Sequence, residues 1–429
     1  MDWIIFSVYR YIALPLVFAI AKALALLEVK NKFFETLQFR LKNKFHYKPT
    51  FDPQKKSIGI HAASGEIEYA LPLIRKIKQL HPDYNIVVTL SSMSVLKAVM
   101  NQMDVDAVGP APIDLRKPIL YFLNQFQFKI FLFARTDVWP EISYQLNRLK
   151  IPSYLFSATF SKTRADKGFL AQALTRISLN NLKKILVVSE SDKKNIESIK
   201  IQTPIHVTGD TRFDQVFYKK ANLKKTLPAI PDSKKIFIAG STWLEDENIV
   251  LPAYALQARN WRLILAPHEV HEDTLTRLEM FFQQHELKVI RLSQALLSTE
   301  STPWDVMIVD LYGYLFYLYA YADLTFVGGS FKAKVHSVME PLSFFKPVCV
   351  GPHHTNNREA VEFSQIQMNF INTHWVQKFN SAQELENLLS LHTKLSVSEK
   401  DKIGRDLETL LSQHKGATER TYKEILFLL

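Results

Sequence analysis

A carboxylate placed where a strand hands over to a helix can take a proton from a substrate hydroxyl. Glu66 occupies such a place, at the end of His61-Ala62-Ala63-Ser64-Gly65-Glu66. The apolar run Ser57-Ile58-Gly59-Ile60 precedes it and reads as a strand, while Ile67, Leu71, Ile74 and Ile77 follow at helical spacing. The six residues are therefore expected to form a strand-to-helix turn, with Ser64 as N-cap, Gly65 easing the tight backbone and Glu66 in the first helical turn. In open α/β sheets ligands bind at the carboxyl ends of the strands. Taken alone, the turn equally suits an acid that only complements the positive end of a helix.

The second half of the chain offers further polar loops after apolar runs. Gly240-Ser241-Thr242 follows Ile236–Ala239 and presents backbone N–H groups and two hydroxyls, suited to a phosphate or to an ordinary capped turn. Pro267-His268-Glu269 follows Leu263-Ile264-Leu265. In Asp310-Leu311-Tyr312-Gly313-Tyr314, Gly313 lets backbone approach a flat base, and Leu311, Leu315, Leu318 and Ala322 make a helical core face. Gly328-Gly329-Ser330 suits another close approach. His336 and Glu340 follow at helical spacing, which predicts a shared face and a carboxylate able to hold both hydroxyls of a ribose. Gly351-Pro352-His353-His354-Thr355-Asn356-Asn357 then caps the next run. The paired histidines lack a third nearby ligand, so no metal is expected.

Elements able to position these residues alternate from Ser57 onward. Apolar runs at Ser57–Ala62, Asn85–Leu90, Phe128–Ala134, Ser153–Ser157, Lys184–Ser189 and Ile205–Thr208 are separated by segments long enough for helices. Such alternation implies βαβ crossovers and a parallel sheet. Tyr218–Lys235, rich in lysine and carrying Pro228 and Pro231, reads as a surface linker. Alternation resumes at Lys235–Ala239, Trp261–Ala266, Leu287–Leu292, Val306–Val309, Leu324–Val327 and Pro347–Val350. The expected organisation is a helical segment over 1–44, one α/β domain over 45–217, a linker over 218–235 and a second α/β domain over 236–429, with a cleft between two sheets.

A chain of 429 residues with 47% hydrophobic and 22% charged residues is globular. Its only cysteine, Cys349, sits in an apolar run, which excludes an internal disulfide and a cysteine zinc cluster. The net charge of +11 suits anionic substrates or an anionic membrane, and no nucleic-acid-binding signature accompanies it. Residues 4–27 are largely apolar but interrupted by Arg10, Pro15 and Lys22, and Lys30, Lys32, Arg40, Lys42, Lys44 and Lys48 follow. The charge-free stretch Tyr11–Ala21 falls short of the ~20 residues of a clean span. An interfacial helix held by apolar burial and anionic headgroups is expected, with a single tilted span as the alternative.

The run from Asp323 to Glu340-Pro341, ending in Lys346-Pro347-Val348 and Gly351-Pro352-His353, resembles the nucleotide half of the 3-deoxy-D-manno-octulosonic acid (Kdo) transferases. His61–Glu66 is similar to that family's Ser-x-Gly-Glu turn, and Thr136-Asp137-Val138-Trp139-Pro140 to its Thr-Glu-Leu-Trp-Pro stretch. Ser189-Glu190-Ser191-Asp192 and Gly209-Asp210-Thr211-Arg212-Phe213-Asp214 match further landmarks. Three positions depart from the pattern: Arg135 stands where members often carry an acid, Val335-His336-Ser337-Val338 replaces Gly-His-Asn-Pro, and Tyr312-Gly313-Tyr314 replaces Met-Gly-Glu.

The resemblance implies a GT-B glycosyltransferase: two Rossmann-like domains with the active site between them. It implies an inverting, metal-independent transfer, with no cofactor, of Kdo from CMP-Kdo to a lipid A precursor, lipid IVA, in lipopolysaccharide biosynthesis at the cytoplasmic face of the inner membrane. Glu66 would be the base, with Ser64, Gly65 and Asp137 beside the acceptor. Gly240, Ser241, Thr242, Pro267, His268, Gly313, Gly329, Ser330, His336, Glu340 and Asn356 would hold the donor. Backbone N–H groups at Gly240–Thr242 and Gly329–Ser330 would meet the leaving-group charge. Competing readings are a membrane-surface GT-B enzyme using a UDP-sugar and a non-catalytic lipid-binding member of the fold.

Overall fold

Each apolar run becomes a strand. The computed structural model describes the chain except for residues 1, 26–31, 43, 93–95, 102–103, 162–167, 224, 232–233, 298–302, 369–370, 372 and 426–429. Lys30 of the basic flank and Lys224 of the expected linker therefore lie outside the described residues. The chain divides into two compact units, 1–215 with 414–429, and 216–413.

The first unit holds β1 (His46–Tyr47), β2 (Ser57–Ala62), β3 (Asn85–Leu90), β4 (Ala107–Pro110), β5 (Phe128–Ala134), β6 (Ser153–Ala158), β7 (Lys184–Val187) and β8 (Ile205–Val207). Their order is β1-β4-β3-β2-β5-β6-β7-β8. The pairings are parallel apart from β1 with β4. β2 is buried along its whole length, as expected for a strand covered on both faces. Ile58 and Ile60 face a core shared with helix Ile67–Leu80, while Phe131 and Phe133 join Phe122 and Phe126 on the other side. The strand order reverses direction between β2 and β5, and a doubly wound sheet binds its ligand at such a switch point. β4 was not expected: Ala107-Val108-Gly109-Pro110 carries two turn-forming residues, yet it pairs along β3.

The second unit holds β9 (Lys235–Thr242), β10 (Trp261–Pro267), β11 (Val289–Arg291), β12 (Val306–Ile308), β13 (Leu324–Val327), β14 (Val348–Val350) and β15 (Val376–Lys378). The order β11-β12-β10-β9-β13-β14-β15 places a second switch point between β9 and β13. The pairing is parallel throughout.

The expected boundary at 236–429 is corrected at its far end. Helix Ala417–Ile425 packs on Ile67–Leu80 and belongs to the first unit. Tyr422 and Ile425 are buried in that unit's core, and the Tyr422 hydroxyl meets His81 Nε2 at 2.7 Å. Lys184 pairs with Glu424 at 2.8 Å. The Arg420 guanidinium donates to the Thr208 carbonyl at 2.9 Å, bracing the loop that follows β8. The expected linker is also partly structured, since helix Thr211–Ala221 runs into it.

At the other end the chain is helical from Asp2 to Ala25, with a π-helical turn at Tyr9–Ala13. One face is tied to the first unit. Asp2 takes two hydrogen bonds from Arg176 at 2.8 Å, the Tyr9 hydroxyl donates to Asp114 at 2.7 Å, and Arg10 pairs with Glu141 at 3.0 Å. Phe6 is buried against Tyr144.

Candidate functional site

The functional groups of the first unit gather at the carboxyl ends of β2, β3 and β5. After β2 the backbone tightens into a 3₁₀ turn, Ser64–Glu66, and the α-helix begins only at Ile67. Ser64 is not the N-cap: it takes the left-handed conformation itself, at φ 48°, and Ala63 occupies the capping position without a side-chain bond. Gly65 does not relieve the turn either. It is exposed, and a Cβ built there meets no atom within 4 Å, so its small size leaves open space beside Glu66. Glu66 is half-buried at the helix mouth.

Asp137, after β5, is the hub of a network. It accepts from Ser91 at 3.0 Å and from the Trp139 indole at 2.7 Å, and it meets His61 Nε2 at 3.0 Å. The other ring nitrogen of His61 meets the Thr89 hydroxyl at 2.9 Å. Burial alone would raise the Asp137 carboxyl, but the bonds and charge from His61, then Ser91 and Trp139, hold it down at about 2. It is therefore ionised and a poor proton acceptor, whose role is to fix His61 and the loop after β5.

In the second unit the loops after β9, β10, β12, β13 and β14 meet at one edge. Gly240-Ser241-Thr242 is strand rather than helix start: Ser241 is the extra residue of a β-bulge against β10, at φ 57°. The buried Thr242 hydroxyl donates to Glu247 at 2.9 Å, and its carbonyl accepts the His268 N–H at 2.8 Å. Thr242 thus joins two loops instead of offering its hydroxyl. Pro267 closes β10 and is buried. Gly313, at φ 78°, sits in a turn anchored by Tyr312, whose hydroxyl accepts the Val270 N–H at 3.1 Å.

Three rings stack across this edge. Trp243 lies 4.4 Å from His268, and His268 lies 4.6 Å from His336 at 16°. The Trp243 indole N–H donates to His336 Nε2 at 3.3 Å, and Lys332 Nζ sits 3.4 Å over the indole. Burial, with His268 beside it, lowers His336 to about 4, so its ring is neutral near pH 7 and free to accept from Trp243.

The turn after β13 differs most from expectation. The Gly329 N–H, in a left-handed residue at φ 82°, donates to Asp246 at 2.7 Å, and the same carboxylate accepts from Trp243 at 2.9 Å and Phe331 at 2.9 Å. The Ser330 hydroxyl is buried, donates to the Val327 carbonyl and accepts the Gly351 N–H at 2.8 Å. The Gly329 N–H and the Ser330 hydroxyl therefore both help to hold this turn. His336 and Glu340 do not share a helix: the helix starts at Met339 and His336 lies in the loop before it. Asn356 uses both ends of its amide on the Val335 backbone at 3.1 Å, and Asn357 donates to the His336 carbonyl at 3.0 Å. Both asparagines shape the loop that carries His336.

Residues 39–215 match the family model described as 3-deoxy-D-manno-octulosonic-acid transferase (kdotransferase). A 3-deoxy-D-manno-octulosonic acid transferase of Haemophilus influenzae is 28% identical over 383 residues, covering 86% of either chain. The chain is thus similar to Kdo transferases along most of its length. Two solved structures share its GT-B fold. The Neisseria meningitidis UDP-GlcNAc 2-epimerase aligns with a TM-score of 0.60 at 16% identity, covering 86% of this chain and 99% of the other. Anabaena HepE aligns at 0.56 and 12% identity, covering 87% and 100%.

Sequence reasoning passed over His61, Ser91 and Trp139 in the first unit and Trp243, Asp246 and Lys332 in the second. Asp246 left a trace: an acid three residues after an N-cap position is a capping signal. The Trp243 and His336 partnership left none, because 93 residues separate them. The adjacent histidines His353 and His354 form no metal cluster, and among the described residues no group of three or more His, Cys, Asp or Glu is arranged to hold one.

Proposed function

We propose that the chain transfers Kdo from CMP-Kdo to a lipid A precursor, lipid IVA, with inversion and without a metal, using Glu66 as the general base. The observation that carries this reading is the position of Glu66: a half-buried carboxylate at the switch point of the first sheet, beside open space at Gly65. An acceptor hydroxyl there gives its proton to Glu66 while its oxygen attacks the anomeric carbon of Kdo. The bond to the CMP phosphate oxygen breaks and CMP leaves with the electron pair. In the second unit, Lys332 over Trp243 supplies positive charge at the edge expected to hold the nucleotide. The relatives named as Kdo transferases support this donor. Mass spectrometry of lipid IVA incubated with the protein and CMP-Kdo is expected to show the mass of added Kdo. No product with CMP-Kdo, together with titration showing preference for UDP over CMP, would replace the donor by a UDP-sugar.

The same reading places the enzyme on the cytoplasmic face of the inner membrane through its first helix. By length and composition Asp2–Ile20 could cross a bilayer. Its polar contacts instead favour a helix lying on the surface, because Arg10 and Tyr9 are bound to buried acids of the first unit. The opposite face leaves Trp3, Ile4, Tyr11, Ile12, Leu16 and Ile20 more than half exposed. Such a ridge inserts among headgroups, helped by anionic lipid. The double variant I12E/L16E is expected to lose roughly a hundredfold or more in liposome binding, since each large apolar side chain contributes about 2 kcal/mol. Transfer to acceptor in detergent should persist, and high salt should release part of the wild-type protein. Retention of the wild type through salt and alkaline washes would indicate a true span.

A further inference from the structure

Two arginines converge on one phenol beside Glu66. Tyr69 lies one helical turn beyond Glu66 and is buried. Arg135 donates to its hydroxyl at 2.6 Å and stacks 4.7 Å from its ring centre. Arg212 donates to the same hydroxyl at 3.3 Å and lies 5.5 Å from the ring. Arg135 closes β5 and Arg212 opens the helix after β8, so both stand at the carboxyl edge of the sheet, Arg135 on the strand that flanks the switch point.

The fold holds this pair in place. Arg135 is a left-handed, non-glycine residue at φ 67°, pinned by its N–H to the Phe156 carbonyl at 2.9 Å. Backbone held in that region is strained and persists where surrounding structure imposes it, commonly at ligand sites. The Thr211 hydroxyl donates to the Tyr69 carbonyl at 2.6 Å, locking the start of the Arg212 helix to the Glu66 helix. Gly209, at φ 88°, lies beneath Arg420, whose guanidinium braces the same loop. Two forked guanidinium groups at one hydroxyl concentrate positive potential and offer N–H donors in the geometry that suits phosphate oxygens.

We propose that Arg135 and Arg212, held together by Tyr69, form a subsite for a phosphate group of the lipid acceptor, placing the acceptor hydroxyl at Glu66. The identity of the acceptor rests on the function proposed above; the preference for a phosphate does not. The test compares a phosphorylated acylated glucosamine disaccharide with its dephosphorylated counterpart in neutral detergent. Binding is measured without donor, and transfer with CMP-Kdo. Wild-type protein should bind the phosphorylated compound about ten- to a hundredfold more tightly, the scale of one or two hydrogen bonds to a charged group. R135Q should remove most of that ratio by weakening only the phosphorylated ligand, R135K should restore part of it, and affinity for CMP should stay unchanged. Equal binding of the two compounds by the wild type overturns the subsite and needs no variant. So does R135Q weakening both compounds alike, or weakening CMP while the ratio stands. Discrimination without transfer would remove the proposed reaction and keep the subsite; transfer without discrimination would do the reverse.

Discussion

Glu66→Gln is expected to lower turnover by about 10²–10⁴-fold, the usual contribution of a positioned general base. Glutamine keeps the size and the hydrogen-bonding reach of glutamate but cannot take the proton, so CMP affinity and the melting temperature should not move. Asp137, a second carboxylate at this edge, provides the contrast. It is held at about 2 by His61, Ser91 and Trp139, which makes it a weak base. Asp137→Asn should therefore act mainly through the position of His61, with a smaller loss of rate and a measurable loss of stability. Steady-state transfer assays and thermal melts of both variants check the pair. A Glu66→Gln enzyme turning over near the wild-type rate would leave Glu66 as a helix-terminal acid and reopen the choice of base.

The two α/β units were legible because parallel strands buried on both faces must be written as continuous apolar runs. Val87 and Val88 of β3, and Phe237 and Ile238 of β9, leave no other reading. Strands with turn residues or polar ends were not legible: β4 contains Gly109-Pro110 and β15 is Val376-Gln377-Lys378. The candidate site was half legible. Sequence position locates Glu66, His268 and Gly329 at strand ends, because loops after parallel strands fall on one edge. What each polar group is spent on depends on partners distant in sequence. Ser330 is used by Gly351, Asn356 by Val335, and Gly329 by Asp246. The Ser64 expectation failed for a related reason: its left-handed backbone is imposed by the turn, and nothing about serine announces it. The final helix could not be assigned to its unit from spacing, since its anchors, His81, Thr208 and Asp214, lie some two hundred residues or more earlier.

Asp246→Ala is expected to be the most damaging single change in the second unit. Its side chain is fully buried and accepts three backbone N–H groups, from Trp243 ahead of the helix and from Gly329 and Phe331 across the turn after β13. Alanine leaves those donors without this acceptor and also removes the helix cap. An unsatisfied buried donor costs about 1–3 kcal/mol and a lost cap about 1 kcal/mol. With partial relaxation, a loss of about 3–5 kcal/mol follows for this unit. Urea denaturation followed through second-unit tryptophans such as Trp243 should show it, with nucleotide affinity falling alongside because the Gly328–Ser330 turn and the Trp243 stack move together. Asp246→Asn keeps one acceptor oxygen and should fall between. The pH dependence adds a check of sign. Burial outweighs the three donors and raises the Asp246 carboxyl above its ordinary range. The folded unit therefore keeps this proton at pH values where the unfolded chain has released it. Its contribution is full below the ordinary carboxylate value and declines as pH rises through the raised one. Asp246→Asn, which cannot titrate, should flatten that decline; an unchanged slope would mean that Asp246 ionises in the folded protein as it does in the unfolded chain.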